Sequence, residues 1–227
     1  MPLTSALSRG LSLRGLLLAA MGAGIAAGVV AALLQQLFLV PLILHAETFE
    51  VGADVHAAAD GGLQRAAYTL LFDCLGAFGF ALLLTGCYAL RGGVTWRQGL
   101  LWGLAGFASF SLAPALGLPP ELPGVQAADL AARQMWWILT ATTTAAGLAC
   151  VVFSRPLPLR LLGLALIGLP HVAGAPQVLV EAHSAVPETM ARIFAIGSLG
   201  VSAVMWLVLG SATAAFMKRA FASRAGA

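Results

Sequence analysis

Charge is what this chain has least of. Only 9% of its 227 residues are Asp, Glu, Lys or Arg, and 60% are hydrophobic; an ordinary soluble domain carries about 25% charged residues. Cysteine is scarce too. Cys74, Cys87 and Cys150 each lie inside an apolar stretch, with no metal-ligand spacing, so they read as small hydrophobes rather than bridges or nucleophiles. Gly-x-Ser-x-Gly, Gly-x-x-x-x-Gly-Lys and His-Glu-x-x-His are absent. The chain is therefore not expected to be an enzyme, and any transport it performs is not driven by ATP bound to it. The net charge of +3 is spread over dispersed basic residues. That is not the clustered patch a nucleic acid requires.

What is present is a set of six long apolar runs, at about 15–44, 66–90, 99–116, 135–153, 161–180 and 193–217. A helix needs about 20 apolar residues to cross a bilayer, and the first run is tilted or long. Its start resembles a signal peptide, but the apolar stretch continues past any small-residue cleavage point, so an uncleaved helix is expected. The segments between the runs alternate in charge. Arg9, Arg14, Arg91, Arg97, Arg155, Arg160, Lys218, Arg219 and Arg224 fall in the first, third, fifth and seventh segments, which hold no acid. Glu47, Glu50, Asp54, Asp60, Glu121, Asp129, Glu181 and Glu188 fall in the second, fourth and sixth. Short basic loops stay in the cytoplasm. The expected fold is thus all-α: a polytopic membrane protein with six transmembrane helices, both termini inside and the carboxylates outside, forming one membrane domain over 1–227. Glycines such as Gly22, Gly24, Gly28, Gly76, Gly79, Gly103 and Gly106 suit close helix approach. Trp96, Trp102, Trp136 and Trp137 stand near run ends, as interfacial aromatics do. Asp129–Arg133 and Glu188–Arg192 have the four-residue spacing of helical ion pairs.

Polar chemistry collects on the outer side. His45 and Glu47 end the first run, and Glu181 and His183 end the fifth. Two imidazoles and two carboxylates suit a borderline divalent metal such as cobalt, nickel, zinc or ferrous iron; the plainer reading is that polar residues end helices at any water interface. His171 lies within the fifth run, between Pro170 and the Gly174–Pro176 turn signals. It is about 16 Å along a helix starting near residue 160, which places it near the midplane. Two prolines and a glycine free backbone carbonyls there, and broken helices at the midplane hold ions in many transporters. The alternative is a proline kink with His171 bonded to a backbone carbonyl. Asp73 is the other intramembrane ionisable group, about 10 Å into the second run. It reads as a cation or proton site, or as a structural partner of Arg65 or Arg133.

One run of sequence is distinctive: Leu112-Ala113-Pro114-Ala115-Leu116-Gly117-Leu118-Pro119-Pro120-Glu121-Leu122-Pro123-Gly124, continuing to Ala128-Asp129-Leu130-Ala131-Ala132-Arg133-Gln134-Met135-Trp136-Trp137. Pro114 would kink the top of the third helix, the later prolines stiffen an outer loop, and the Trp pair anchors the fourth helix. This run closely resembles the CbtA family of cobalt transporter subunits. Pro41 with Ala46, Glu47 and Glu50, Pro170-His171 with Gly174-Ala175-Pro176, and Val186-Pro187-Glu188 through Phe194 and Trp206 resemble it as well, so the likeness covers nearly the whole chain. His45 and Gln177 stand where that pattern more often has an acid and a histidine. The resemblance implies cobalt uptake across the bacterial inner membrane for cobalamin synthesis. It also implies a small single-span, His-rich partner, CbtB. No resident cofactor is implied; cobalt or nickel would be cargo.

The candidate metal residues are therefore His171, Glu47, Glu181, His183, Asp73 and His45. Two other functions remain open from the residues. A membrane haem protein would need two imidazoles at one depth, and only His171 lies within a run; a Soret band would reveal it. A non-transporting scaffold for a metal-handling partner would leave uptake indifferent to His171 and Asp73.

Overall fold

The structure, a computed structural model, describes residues 13–49, 62–125, 127–177 and 186–225. Arg9, Glu50, Asp54, His56, Asp60, Glu181 and His183 lie outside the described residues. The described chain is helical, without strands, in six helices. Helix α1 is Leu13–Glu47, with a π-helical segment at Gln35–Leu39; α2 is Gly62–Arg91; α3 runs from Trp96–Phe107 through a π-helical Ala108–Leu112 to Ala113–Ala115; α4 is Leu130–Phe153; α5 is Leu157–Ala173; α6 is Glu188–Ala225. Four of them, Leu13–Glu47, Gly62–Arg91, Leu130–Phe153 and Glu188–Ala220, are long and apolar enough to cross a membrane. Leu157–Ala173 is apolar but shorter. At 1.5 Å per residue it spans about 26 Å, somewhat less than a ~30 Å hydrocarbon core.

Several helices start earlier than hydrophobicity alone indicates, and local chemistry explains it. Asp129 accepts a hydrogen bond from the Ala132 N–H at 3.0 Å and caps α4, setting its start at Leu130 rather than near Met135. Arg133 pairs with Glu121 of the preceding loop at 3.3 Å, in place of the helical pairing with Asp129 that their spacing suggested. Glu188 and Arg192 do pair across one turn, at 3.1 Å and largely exposed. Thr95 and Gln98 form a reciprocal capping box at the start of α3: Gln98 Oε1 accepts from the Thr95 N–H at 3.0 Å, and Thr95 Oγ1 accepts from the Gln98 N–H at 3.3 Å. Helix α5 ends at Ala173, short of the run's end near residue 180. Gly174 takes φ 87°, a conformation cheap only for glycine, while its N–H still bonds the Pro170 carbonyl at 3.0 Å.

The chain divides into two compact units, 1–37 with 57–104 and 201–227, and 38–56 with 105–200. In the first, α1 packs along α2 through small residues. A Cβ on Gly24 would come within 2.6 Å of the Phe78 backbone, and one on Gly28 within 2.5 Å of the Cys74 backbone. The first part of α3 meets the second half of α6 in the same way, Gly99 and Gly103 lying against Trp206 and Gly210. Tyr88 seals this contact, its buried hydroxyl donating to the Gly210 carbonyl at 3.0 Å. In the second unit, Gly147 of α4 and Gly163 of α5 lie against each other's carbonyls.

The sorting of sizes is the opposite of a water-soluble core. Along α1, Ala19, Ala20, Ala23, Ala27, Ala31 and Ala32 are buried, while Leu18, Met21, Ile25, Val29, Leu33 and Leu37 face outward. Water would punish that arrangement. Lipid does not, because helix association there depends on close backbone approach rather than on hiding large apolar side chains. Gly76 and Gly79, expected to pack, have nothing within 4 Å of where a Cβ would stand among the described residues.

Candidate functional site

Both π-helical segments precede a proline. Gln35–Leu39 runs into Pro41, and Ala108–Leu112 into Pro114. A helical proline has no N–H for the carbonyl four residues back, and its ring crowds that carbonyl; the helix widens locally in response. Phe110 is the residue four before Pro114, and the Trp137 indole N–H donates to its carbonyl at 3.2 Å. The Pro114 carbonyl takes the Trp136 indole N–H at 3.0 Å and also accepts from Leu118 at 3.0 Å. The Trp pair is thus more than an interfacial anchor: it ties the start of α4 to the proline-altered end of α3.

His171 joins this cluster. It lies in the last turn of α5, half-buried, with its ring edge-on to Trp136 at 5.9 Å. Gly117 leaves room for the Trp136 ring; a Cβ there would overlap that ring and come within 2.7 Å of Ala175. Pro170 is fully buried beside it. The proline-rich loop adds Leu122, 3% exposed, and the half-buried Glu121–Arg133 ion pair. Trp136, bonded to the Pro114 carbonyl and fitted against Gly117, therefore sets an aromatic wall beside the His171 imidazole. Below Trp136 on the same face of α4, Thr140 and Thr144 are buried with hydroxyls that have no partner among the described residues, whereas Thr142 and Thr143 bond back to the Leu139 carbonyl at 3.1 and 2.8 Å.

Asp73 lies elsewhere, in the first unit. Of the two arginines expected near it, Arg133 pairs with Glu121, while Arg65 lines the same cleft as Asp73. Gln35, the first residue of the α1 π segment, points its amide nitrogen at both carboxylate oxygens, at 3.0 and 2.9 Å. An open cleft of about 550 Å³ is lined by Gln35, Gln64, Arg65, Tyr68, Thr69, Phe72 and Asp73. Gln64 Nε2 donates to the Tyr68 hydroxyl at a long 3.4 Å.

His45 and Glu47 occupy the last turn of α1. His45 is exposed and stacks on Phe49 at 5.5 Å, and its carbonyl accepts from the Thr48 hydroxyl at 2.7 Å. Among the described residues no group of three or more His, Cys, Asp or Glu is placed to hold a metal ion. Of the sequence candidates, His45 and Glu47 share the last turn of α1, His171 is in the last turn of α5 and Asp73 is on α2; Glu181 and His183 lie outside the described residues. Sequence reasoning missed Gln35 and the Trp136–His171 contact. Gln35 had a signal: with Gln36 it is the only polar side chain in the first apolar run.

The family model described as "Probable cobalt transporter subunit (CbtA)" matches residues 13–218. No curated protein and no solved structure matches the chain.

Proposed function

This chain belongs to the CbtA family of probable cobalt transporter subunits, and on that premise we propose that it is the membrane subunit of a divalent-metal importer. The single observation that carries the proposal is the extent of the match: the family model covers 13–218, nearly every helix of the fold. In this reading six helices cross the bilayer, both termini are cytoplasmic, and the membrane is the bacterial inner membrane. The alternation of basic and acid-bearing segments supports that orientation. Cobalt is the preferred cargo, with nickel next, and the imported metal serves cobalamin synthesis. A subunit implies a partner; the one proposed is a small single-span, His-rich CbtB-like protein.

The outer carboxylates gather the cation, His45 and Glu47 with Glu181 and His183 receive it, and His171 passes it inward at the end of α5. Imidazole with carboxylate and carbonyl oxygens suits cobalt or nickel. A few mixed ligands also let the ion leave again, which a closed tetrahedral cage would resist. Asp73, whose cleft has no imidazole among its lining residues, carries a different role. The test is uptake of radiolabelled cobalt and nickel in cells with and without the chain. His171→Ala and His171→Gln should both abolish uptake while the protein inserts at normal abundance. Normal uptake with Gln would make His171 a hydrogen-bonded support of the helix end. Normal uptake with both His171 and Asp73 replaced would favour the scaffold reading, in which a partner handles the metal.

A further inference from the structure

We propose that the cleft between α1 and α2 admits protons to Asp73, and that this carboxylate couples metal import to the proton gradient. The inference rests on the transport reading above. Residues 64 and 65, 68 and 69, and 72 and 73 line the cleft. Their four-residue spacing keeps them on one face of α2, so they form a polar track about 12 Å long from Gln64 and Arg65 down to Asp73. With the N-terminus inside, the start of α2 faces the outer water, and the track opens there. Asp73 is eleven residues from the helix start at Gly62, about 16 Å along its axis. An ionisable group at that depth is expensive and functional by default.

The lining selects the ion. Its donors are one carboxylate, two amides and two hydroxyls, with no imidazole, a poor set for cobalt or nickel. A divalent cation on a lone carboxylate would leave one positive charge uncompensated where the dielectric is low. A single proton neutralises a single carboxylate. Among the described residues, the titratable side chains that line the cleft with Asp73 are Arg65 and Tyr68 of α2, with Cys74 next in sequence; α1 brings the neutral Gln35, and α6, which meets α2 at Phe80 and Tyr88, brings none to the lining.

Gln35 suits both states of the acid. Its amide nitrogen now spans both carboxylate oxygens. When hydronium gives its proton to one oxygen and departs as water, the new carboxyl O–H can donate to the Gln35 amide oxygen once the amide turns over. The charge changes while the hydrogen-bonded pair persists. Gln35 also opens the π segment that Pro41 imposes on α1. π turns recur at functional sites, and the same helix carries His45 and Glu47 at its end. In this proposal α1 itself is the connection between Asp73 and those residues.

The full chain, reconstituted in proteoliposomes together with the proposed single-span His-rich partner, tests this, using cobalt influx under no gradient, an outside-acid gradient and an inward sodium gradient, with infrared pH-difference spectra of the same samples. Outside acid should raise cobalt influx several-fold, sodium should not, and the spectra should contain a carboxyl protonation band. Asp73→Asn should lose that band and take up cobalt at one pH-independent rate; Asp73→Glu should keep both stimulation and band. Should Asp73→Asn fail to fold, Gln35→Leu serves: it should shift the pH midpoint of stimulation, because the charged carboxylate uses the Gln35 donor at both oxygens and the neutral acid at one at most, and an unchanged midpoint overturns the coupling. Cobalt influx that ignores the proton gradient, responds to sodium instead, or keeps its acid stimulation in Asp73→Asn overturns the coupling alone. Influx absent under every gradient sinks the transport reading and the coupling with it.

Discussion

At the scale of single residues, the prolines do more than stiffen loops. Pro114 withholds an N–H from the Phe110 carbonyl, the helix widens into a π turn before it, and two indoles dock there. The Trp136 ring then forms the wall against which His171 rests edge-on. Trp136→Phe keeps an aromatic edge for His171 but removes the hydrogen bond to Pro114. The lost bond and the smaller ring together should cost about 1–3 kcal/mol. The thermal midpoint in detergent should fall accordingly, and an unchanged midpoint would mean that the indole bond does not hold α4 to α3. The sequence pointed to these prolines and to His171 but not to their meeting. Pro114, Gly117, Trp136 and His171 lie on three separate helices or their ends, and only the fold brings them within reach.

At the scale of elements, side chains that the apolar runs do not reveal set the helix ends. Thr95 with Gln98 spells a capping box, Asp129 caps α4, and Gly174 stops α5. Hydrophobicity alone placed those boundaries several residues away, because a helix extends past its apolar stretch as far as its caps allow. Which glycines pack was not legible. Gly28 and Gly76 look alike in sequence, yet a Cβ on Gly28 would press into the Cys74 backbone, and one on Gly76 would meet nothing described. Gly28→Ala should therefore cost about 1–3 kcal/mol through overpacking of backbone on backbone. Gly76→Ala should be neutral or stabilise by about 0.5–1 kcal/mol, since alanine is the better helix former. Thermal unfolding of the two variants side by side measures the difference. Equal destabilisation would show that the Gly76 face is covered too, by a partner helix.

At the scale of the whole molecule, charge sorting is the organising fact, and it can be tested at two levels. Reporter fusions at Gly92, Gly124, Pro158 and the C-terminus should read inside, outside, inside and inside; a C-terminus read as outside would mean five spans, with the short α5 the helix that fails to cross. If that orientation holds, eight carboxylates share the outer face with only Arg65, Arg133 and Arg192. Arg133 pairs with Glu121 and Arg192 with Glu188, and the excess of carboxylates over arginines in these segments sets the sign of the local field. Such a field concentrates cations and speeds their entry, and it fades beyond about 10 Å at 0.1 M salt. Replacing Glu47 and Glu50 together with glutamine removes charge at the mouth without altering His171 or Asp73. Cobalt uptake should then slow most at low ionic strength, and the gap from the unaltered chain should close as salt rises. A gap that persists at high salt would mean that Glu47 or Glu50 binds the ion directly. Equal rates at low salt would reduce both to interfacial residues and move the entry site toward Glu181 and His183.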